Sequence, residues 1–341
     1  MDSLTHIALG AAIGESVLGR KVGRRAAAWG AVIAIVPDVD VVLALADPVV
    51  NFTYHRSMTH SLLFTFVAAP VFAWLIHRFH ADAGARFRDW WLLCLLVLVT
   101  HALLDALTVY GTQLFWPFDL PPTMVSSIFI VDPAFTLPLL AGLGTTLYLA
   151  GRRETRPWLP NAVGLTLAAS YLLWGLWSKH DVERFTQAAL EAQGIEYNQI
   201  LTVPTPGNSL LWRILVMSDD AYYEGFRSRF DRGRELSLTR TGRDLSPLEG
   251  IEDHWPVARL RWFIRGFYTV TVEEGFVVIT DLRMGHEPNY VFAFRVARDS
   301  NPHPIPIDAE QLPMDFQLGE LGWVWRRIWD ETLPPRHLEP R

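Results

Sequence analysis

The sequence predicts an α-helical integral membrane domain of about six segments, residues 1–178, followed by a soluble, mainly β domain of α+β character, residues 179–341. Three observations carry this expectation. Before residue 178 lie six apolar stretches, each near the ~17–25 residues that a bilayer helix requires. Charge is sparse there: residues 1–178 hold 11 Lys+Arg and 11 Asp+Glu, whereas residues 179–341 hold 19 and 25 and account for the whole net charge of −6. After Trp177 the pattern changes to short alternating runs punctuated by Pro, Gly and Asn clusters.

The first apolar stretch, residues 4–19, is preceded by Asp2 and followed by Arg20, Lys21, Arg24 and Arg25. That polarity is the reverse of a signal peptide, so the segment is expected to be retained. The second stretch, about 26–46, is interrupted by Pro37, Asp38 and Asp40; the others cover 62–77, 90–107, about 133–150 and 159–177. Basic residues cluster at 20–25, at Arg78, Arg86 and Arg88, and at Arg152, Arg153 and Arg156, which are alternate loops. The positive-inside rule places these loops in the cytoplasm. The N-terminus, the loop holding His55 and His60, the end of the fourth segment and everything after residue 178 then face outward. In the C-terminal part, residues 181–193 read as a short polar helix and 210–217 as a strand. Residues 267–273 and 275–282 read as a hairpin about Glu274 and Gly275, with a further strand at 290–297. No basic patch points to nucleic acid. The single cysteine, Cys94, excludes an intramolecular disulfide.

Four polar clusters stand out in the apolar half: residues 1–6 with Asp2 and His6, residues 37–40 with Asp38 and Asp40, residues 54–61 with His55, Arg56 and His60, and residues 101–105 with His101 and Asp105. Histidine and carboxylate are the side chains that bind divalent metals. His101 and Asp105, four apart on a predicted helix, project from one face; a plain buried His–Asp hydrogen bond is the simpler alternative. Asp38 and Asp40 are harder to explain without a cation, because two neighbouring carboxylates in hydrocarbon are costly and repel each other. The alternative there is that Pro37 ends the helix and leaves both solvated. Thr59 or Ser61 is expected to cap the following helix, and Asp132 to start another. His77 and His80 are expected to be solvated.

Taken in order, these motifs resemble a known family. The series M-D-x-x-T-H from Met1 to His6, P-D-x-D from Pro37 to Asp40, H-R-x-x-T-H-S from His55 to Ser61, H-x-x-L-D-x-x-T-x-x-G from His101 to Gly111, and W-P-F from Trp116 to Phe118 is similar to the YdjM-like family of membrane-bound metal-dependent hydrolases. The resemblance covers about residues 1–180 and implies several membrane helices, with an extra C-terminal soluble domain in some bacterial members. A fainter likeness runs to zinc-dependent phospholipase C, which would match His6, Asp38 or Asp40, His60, and His101 with Asp105. Here Asp105 stands where those enzymes use Glu, and the histidines are fewer.

The expectation is therefore a metal-dependent hydrolase of a phosphoester or lipid-like substrate, at the outer face of the cytoplasmic membrane and in contact with membrane lipids. His6, Asp38, Asp40, His55, His60, His101 and Asp105 would hold one or two divalent ions, Zn²⁺ or Mn²⁺. Asp38 or Asp40 would take a proton from water, and Arg56 would neutralise a substrate oxygen. A transporter or metal permease would also keep His and Asp in membrane helices, usually near mid-bilayer and with internal repeats, neither of which is seen. A non-enzymatic membrane anchor for an extracytoplasmic binding domain is the other alternative.

Overall fold

A computed structural model of the chain describes residues 1–41, 47–80, 84–151, 157–233, 235–313 and 319–334. In chain order the helices are α1 (Ser3–Val22), α2 (Arg24–Ile35), α3 (Pro48–Tyr54), α4 (Leu62–Phe79), α5 (Phe87–Ala106), α6 (Pro133–Gly151) and α7 (Leu159–Gln193). Then follow β1 (Gln199–Pro204), β2 (Leu211–Met217), β3 (Ala221–Ser228), β4 (Thr239–Gly242), α8 (Trp255–Ile264), β5 (Tyr268–Glu273), β6 (Phe276–His286), β7 (Asn289–Arg298), β8 (Ile305–Gln311) and α9 (Gly319–Trp329). The chain packs as two units, one of residues 1–44 and 55–176, the other of residues 45–54 and 177–341.

In the helical unit, α4, α5, α6 and α7 are long and apolar enough to cross a membrane. They make an N-terminal membrane-spanning region, and the outward side chains of α4, among them Phe66, Val67, Val71 and Trp74, present the apolar surface such a region needs. The remaining two predicted segments take another form. The first is α1, capped by the Asp2 side chain accepting from Thr5 N and closed by Gly23 at φ 62°. The second contributes α2, only 12 residues long, because Pro37 redirects the chain into a 3₁₀ turn over Pro37–Val41. At about 1.5 Å per residue, α2 is too short to cross ~30 Å of hydrocarbon by itself. It lies instead against α1 at very close range: a Cβ on Gly30 would stand 2.1 Å from the Gly10 carbonyl oxygen. Residues 42–46, the end of this apolar stretch, and the basic residues Arg152, Arg153 and Arg156 lie outside the described residues.

The core of this unit gathers Leu18, Ile33, Ile76, Trp90, Leu93 and Val97 from α1, α2, α4 and α5. Lys21 at the end of α1 donates to Asp89 at the start of α5 at 2.6 Å. Basic residues therefore collect at one end of the bundle, while Asp2, the turn after α2, the start of α4 and the end of α5 lie at the other.

The second unit is β-rich. Two four-stranded antiparallel sheets have the orders β1-β2-β3-β4 and β5-β6-β7-β8. Side chains of Val182, Leu190, Trp212, Ile214 and Val216 join the C-terminal part of α7 to the first sheet. The expected polar helix over 181–193 is thus not a separate element but the continuation of α7. The expected hairpin is present: Glu274 and Gly275, at φ 53° and 76°, supply the two left-handed residues that a tight turn between β5 and β6 requires. Helix α3, although it precedes α4 in the chain, belongs to this unit. Its Phe52 packs against Phe263 of α8 and Phe292 and Phe294 of β7, with ring centroids 4.5–5.2 Å apart.

Candidate metal centre

Four segments of the helical unit bring their polar side chains to one point. The 3₁₀ turn after α2 carries Asp38 and Asp40. A second 3₁₀ turn, Met58–His60, carries His60 and runs into α4, whose first turn is capped by the Ser61 hydroxyl accepting from Phe64 N at 3.1 Å. The last two turns of α5 carry His101 and Asp105 on one face, and the first turn of α1 carries His6. The loop before His60 is fixed by Arg56, which adopts φ 62° and whose carbonyl accepts from Gln113 N at 2.9 Å.

Asp38, His60, His101 and Asp105 each direct one ligand atom to this point, and these atoms lie within 4.8 Å of one another. His60 Nε2 is 3.4 Å from Asp38 Oδ1, 3.3 Å from Asp105 Oδ2 and 3.1 Å from His101 Nε2. His101 Nε2 is 3.5 Å from Asp38 Oδ1 and 3.4 Å from Asp105 Oδ2. A tetrahedron of nitrogen and oxygen ligands at the bond lengths of zinc has edges of about 3.3 Å. The donor set therefore fits a divalent ion. The Asp105 Oδ2 atom is buried and accepts no hydrogen bond, the state expected of an acceptor meant for a cation.

The rings are oriented from behind. His101 Nδ1 lies 2.8 Å from the Ala34 carbonyl oxygen, which can only accept, so Nδ1 carries the proton and Nε2 keeps its lone pair for the centre. His60 Nδ1 lies 3.1 Å from the Thr59 hydroxyl and 3.5 Å from Asp40 Oδ2. Asp40 in turn accepts from the Arg56 backbone N–H at 3.1 Å and the Thr59 hydroxyl at 3.0 Å, and meets His55 Nδ1 at 3.0 Å. His6 stacks on His101 with ring centroids 3.7 Å apart and reaches Asp105 Oδ1 at 3.2 Å through Nε2. The same Oδ1 atom meets the Met1 amino group and the Arg56 guanidinium; Arg56 also donates to the Thr108 hydroxyl at 2.9 Å.

The seven expected ligand residues thus fall into two layers. Asp38, His60, His101 and Asp105 form the convergent set; His6, Asp40 and His55 touch its members from outside. Arg56 is buried against Asp105 and Thr108. Of the two candidate caps, Ser61 takes that role, while Thr59 bridges Asp40 and His60. The Ala34 carbonyl left no trace in the sequence, since any residue could supply it, whereas Thr108 stood within the motif after Asp105. Asp132 starts α6, with Oδ1 accepting from Ala134 N at 3.0 Å. His80 is not simply solvated, because it accepts from Trp29 Nε1 at 2.9 Å.

Outside the membrane-spanning helices, charge is shared strongly across the centre. Burial opposes ionisation of Asp38 and Asp40, but His101 and His60 beside the first, and His55 and His60 beside the second, hold both carboxyls well below the usual range. Burial also opposes charge on His60, yet the carboxylates of Asp105, Asp38 and Asp40 around it raise it to about 10. Without an ion, His60 keeps a proton that a metal must displace.

Residues 1–182 match the model of a family described as YdjM inner membrane protein. The chain is 28% identical over 240 residues, 66% of this chain and 68% of the relative, to the Bacillus subtilis (strain 168) protein called uncharacterized protein YfhP. It is 32% identical over 114 residues, 33% of this chain and 64% of the relative, to the Escherichia coli (strain K12) inner membrane protein YbcI. No solved structure matches the chain. With the family match covering more than half of its length and four apolar helices to cross the bilayer, this chain belongs to the YdjM family and is a multi-pass inner membrane protein.

Proposed function

We propose that the protein is a membrane-bound metal-dependent hydrolase that cleaves a phosphoester or lipid-like substrate at the outer face of the inner membrane. The observation that carries this reading is the convergence of Asp38, His60, His101 and Asp105 on one point, with a buried Asp105 oxygen left for a cation. Two imidazoles and two carboxylates suit Zn²⁺ best, with Mn²⁺ as the alternative. When bound, such an ion supplies a Lewis acid that polarises a substrate oxygen and acidifies water.

The remaining roles fall to the chain. The side chains of Asp38 and Asp40 are 18% and 16% exposed, against 0–1% for His60, His101 and Asp105, so water and substrate approach over the 3₁₀ turn after α2. Asp40, the carboxylate outside the convergent set, stands on that side to accept a proton. Arg56, held against Asp105 and Thr108, adds positive charge for a substrate oxyanion. His6, stacked on His101 and in contact with Asp105, positions both. The basic residues Arg20, Lys21, Arg78, Arg86 and Arg88, which gather at the opposite ends of α1, α4 and α5, support an outward-facing site.

The test is turnover of bis(p-nitrophenyl) phosphate and of phospholipid vesicles by zinc- or manganese-loaded protein, beside His60→Ala. The reading expects hydrolysis that chelation abolishes and the variant lacks. Absence of turnover from a folded, metal-loaded preparation on both substrate classes would count against it.

A further inference from the structure

Helix α9 is apolar on two faces, and the β-rich unit covers only one of them. Trp323, Val324 and Ile328 are buried in that unit. The helix is pinned there: Arg327 donates to both carboxylate oxygens of Asp231 at 2.8 Å and to the Phe226 carbonyl at 3.1 Å, and the Ser228 hydroxyl donates to the Ile328 carbonyl at 2.6 Å. The other stripe, Leu321, Trp325 and Trp329, recurs every four residues and so shares one side of the helix. Those side chains are 45%, 63% and 57% exposed. Phe230, 49% exposed, stacks on Trp329 with ring centroids 4.6 Å apart and extends the patch beyond the helix. A fixed helix with an uncovered aromatic stripe marks a contact surface rather than a core element.

Within the same unit, this patch adjoins the end of the apolar stretch of α7. Trp177 is the last residue of the apolar stretch of α7, where that spanning helix passes into polar sequence. The guanidinium of Arg229 lies 4.5 Å from the centre of the Trp177 ring and pairs with Asp181 one turn further along α7. Arg229 is the chain neighbour of Phe230. A continuous series of neighbours therefore runs from Trp177, where the apolar sequence of α7 ends, through Arg229 and Phe230 to Trp329 and Trp325. Tryptophan and phenylalanine beside arginine are the side chains that settle at the boundary between headgroups and acyl chains.

We propose that the outward stripe of α9, Leu321, Trp325 and Trp329, together with Phe230, docks into the interfacial region of the phospholipid bilayer that α7 spans. The β-rich unit is then held to the membrane at a second place besides its covalent link. This inference does not depend on the metal centre or on hydrolysis.

The test uses the full chain with Cys94→Ala, reconstituted in phosphatidylethanolamine/phosphatidylglycerol vesicles, and a nitroxide label at Trp325→Cys, at Leu321→Cys, or at Asn301→Cys as an exposed reference. Collisions with oxygen, which concentrates in lipid, are compared with collisions with a water-soluble nickel chelate. The proposal expects labels at 325 and 321 to favour oxygen over nickel several-fold more than the label at 301. Water-like behaviour at 325 and 321, or shielding from both reagents as in a protein contact, overturns it. Two label sites on the exposed stripe keep the result independent of either substitution alone.

Discussion

In the β-rich unit, the buried Arg283 guanidinium closes on both oxygens of buried Asp281 at 2.8–3.1 Å and also reaches the Phe263 carbonyl, and buried Arg213 donates through Nε and Nη2 to the Oε2 atom of Glu224. In the helical unit, equally buried His60, His101 and Asp105 face one another and Asp38 across 3.1–3.5 Å, and the Asp105 Oδ2 atom accepts nothing. Burial is alike in the two places, but satisfaction differs. Where each charge meets its complement in a fixed fork, the chain has completed the interaction itself. Where ligand atoms converge and are oriented from behind by a carbonyl and a carboxylate, the arrangement is suited to a cation. Burial of charge alone does not identify a site; an unmet acceptor at the meeting point of several ligands does.

The comparison can be broken most forcefully at the centre itself. Replacing His101 and Asp105 together with leucine is expected to lower divalent-metal affinity by about 1000-fold or more while helical content, read by circular dichroism, persists, since two of four ligands are lost. Asp281→Asn is the matching change in the other unit. It leaves Arg283 buried and under-compensated, so the β-rich unit is expected to lose about 3–5 kcal/mol in denaturant unfolding, with metal content unchanged. Exchanging Asp281 and Arg283 together for apolar residues of similar volume should restore most of that loss.

Smaller effects sharpen the distinction between the two layers of the centre. Asp40→Asn keeps all four convergent ligands but weakens the orientation of His60, and a fall of about 10–100-fold in metal affinity is expected in competition titrations against a chelator. The pH dependence, taken per unit, is the gentlest of these effects. Because the carboxylates raise His60 to about 10 in the metal-free protein, binding releases its proton. Affinity should therefore rise with pH, by about tenfold per unit below that value, until the proton is no longer bound. A flat profile between pH 6 and 9 would separate His60 from the ligands.

Much of this was legible before any coordinates. The four-residue spacing of His101 and Asp105 places both on one face of α5, and carboxylates at 38 and 40 within apolar sequence had to find compensation. The separation of the ligands into two layers was not legible, because it depends on which side of the His60 ring meets Asp40 and on a backbone carbonyl at Ala34. Among the elements, the apolar spacing anticipated the long helices α4 to α7, and Glu274 with Gly275 anticipated the hairpin. The length of α2 was missed because apolar sequence continues beyond Pro37 although the helix does not. The change from apolar to polar sequence after Trp177 suggested a break where α7 continues, since helix propensity persists through residues 178–193 after hydrophobicity ends. The place of α3 in the β-rich unit rests on Phe52 finding Phe263, Phe292 and Phe294, a tertiary match with no local signature.

The most direct test of the central claim is metal content per chain, measured by plasma mass spectrometry on detergent-purified protein prepared without chelators and reloaded with zinc or manganese. The parent is expected to hold about one tightly bound ion, and a folded His60→Ala variant to hold none. A folded parent that retains no ion after reloading, or a variant that retains as much as the parent, would contradict the assignment of Asp38, His60, His101 and Asp105 as a metal centre.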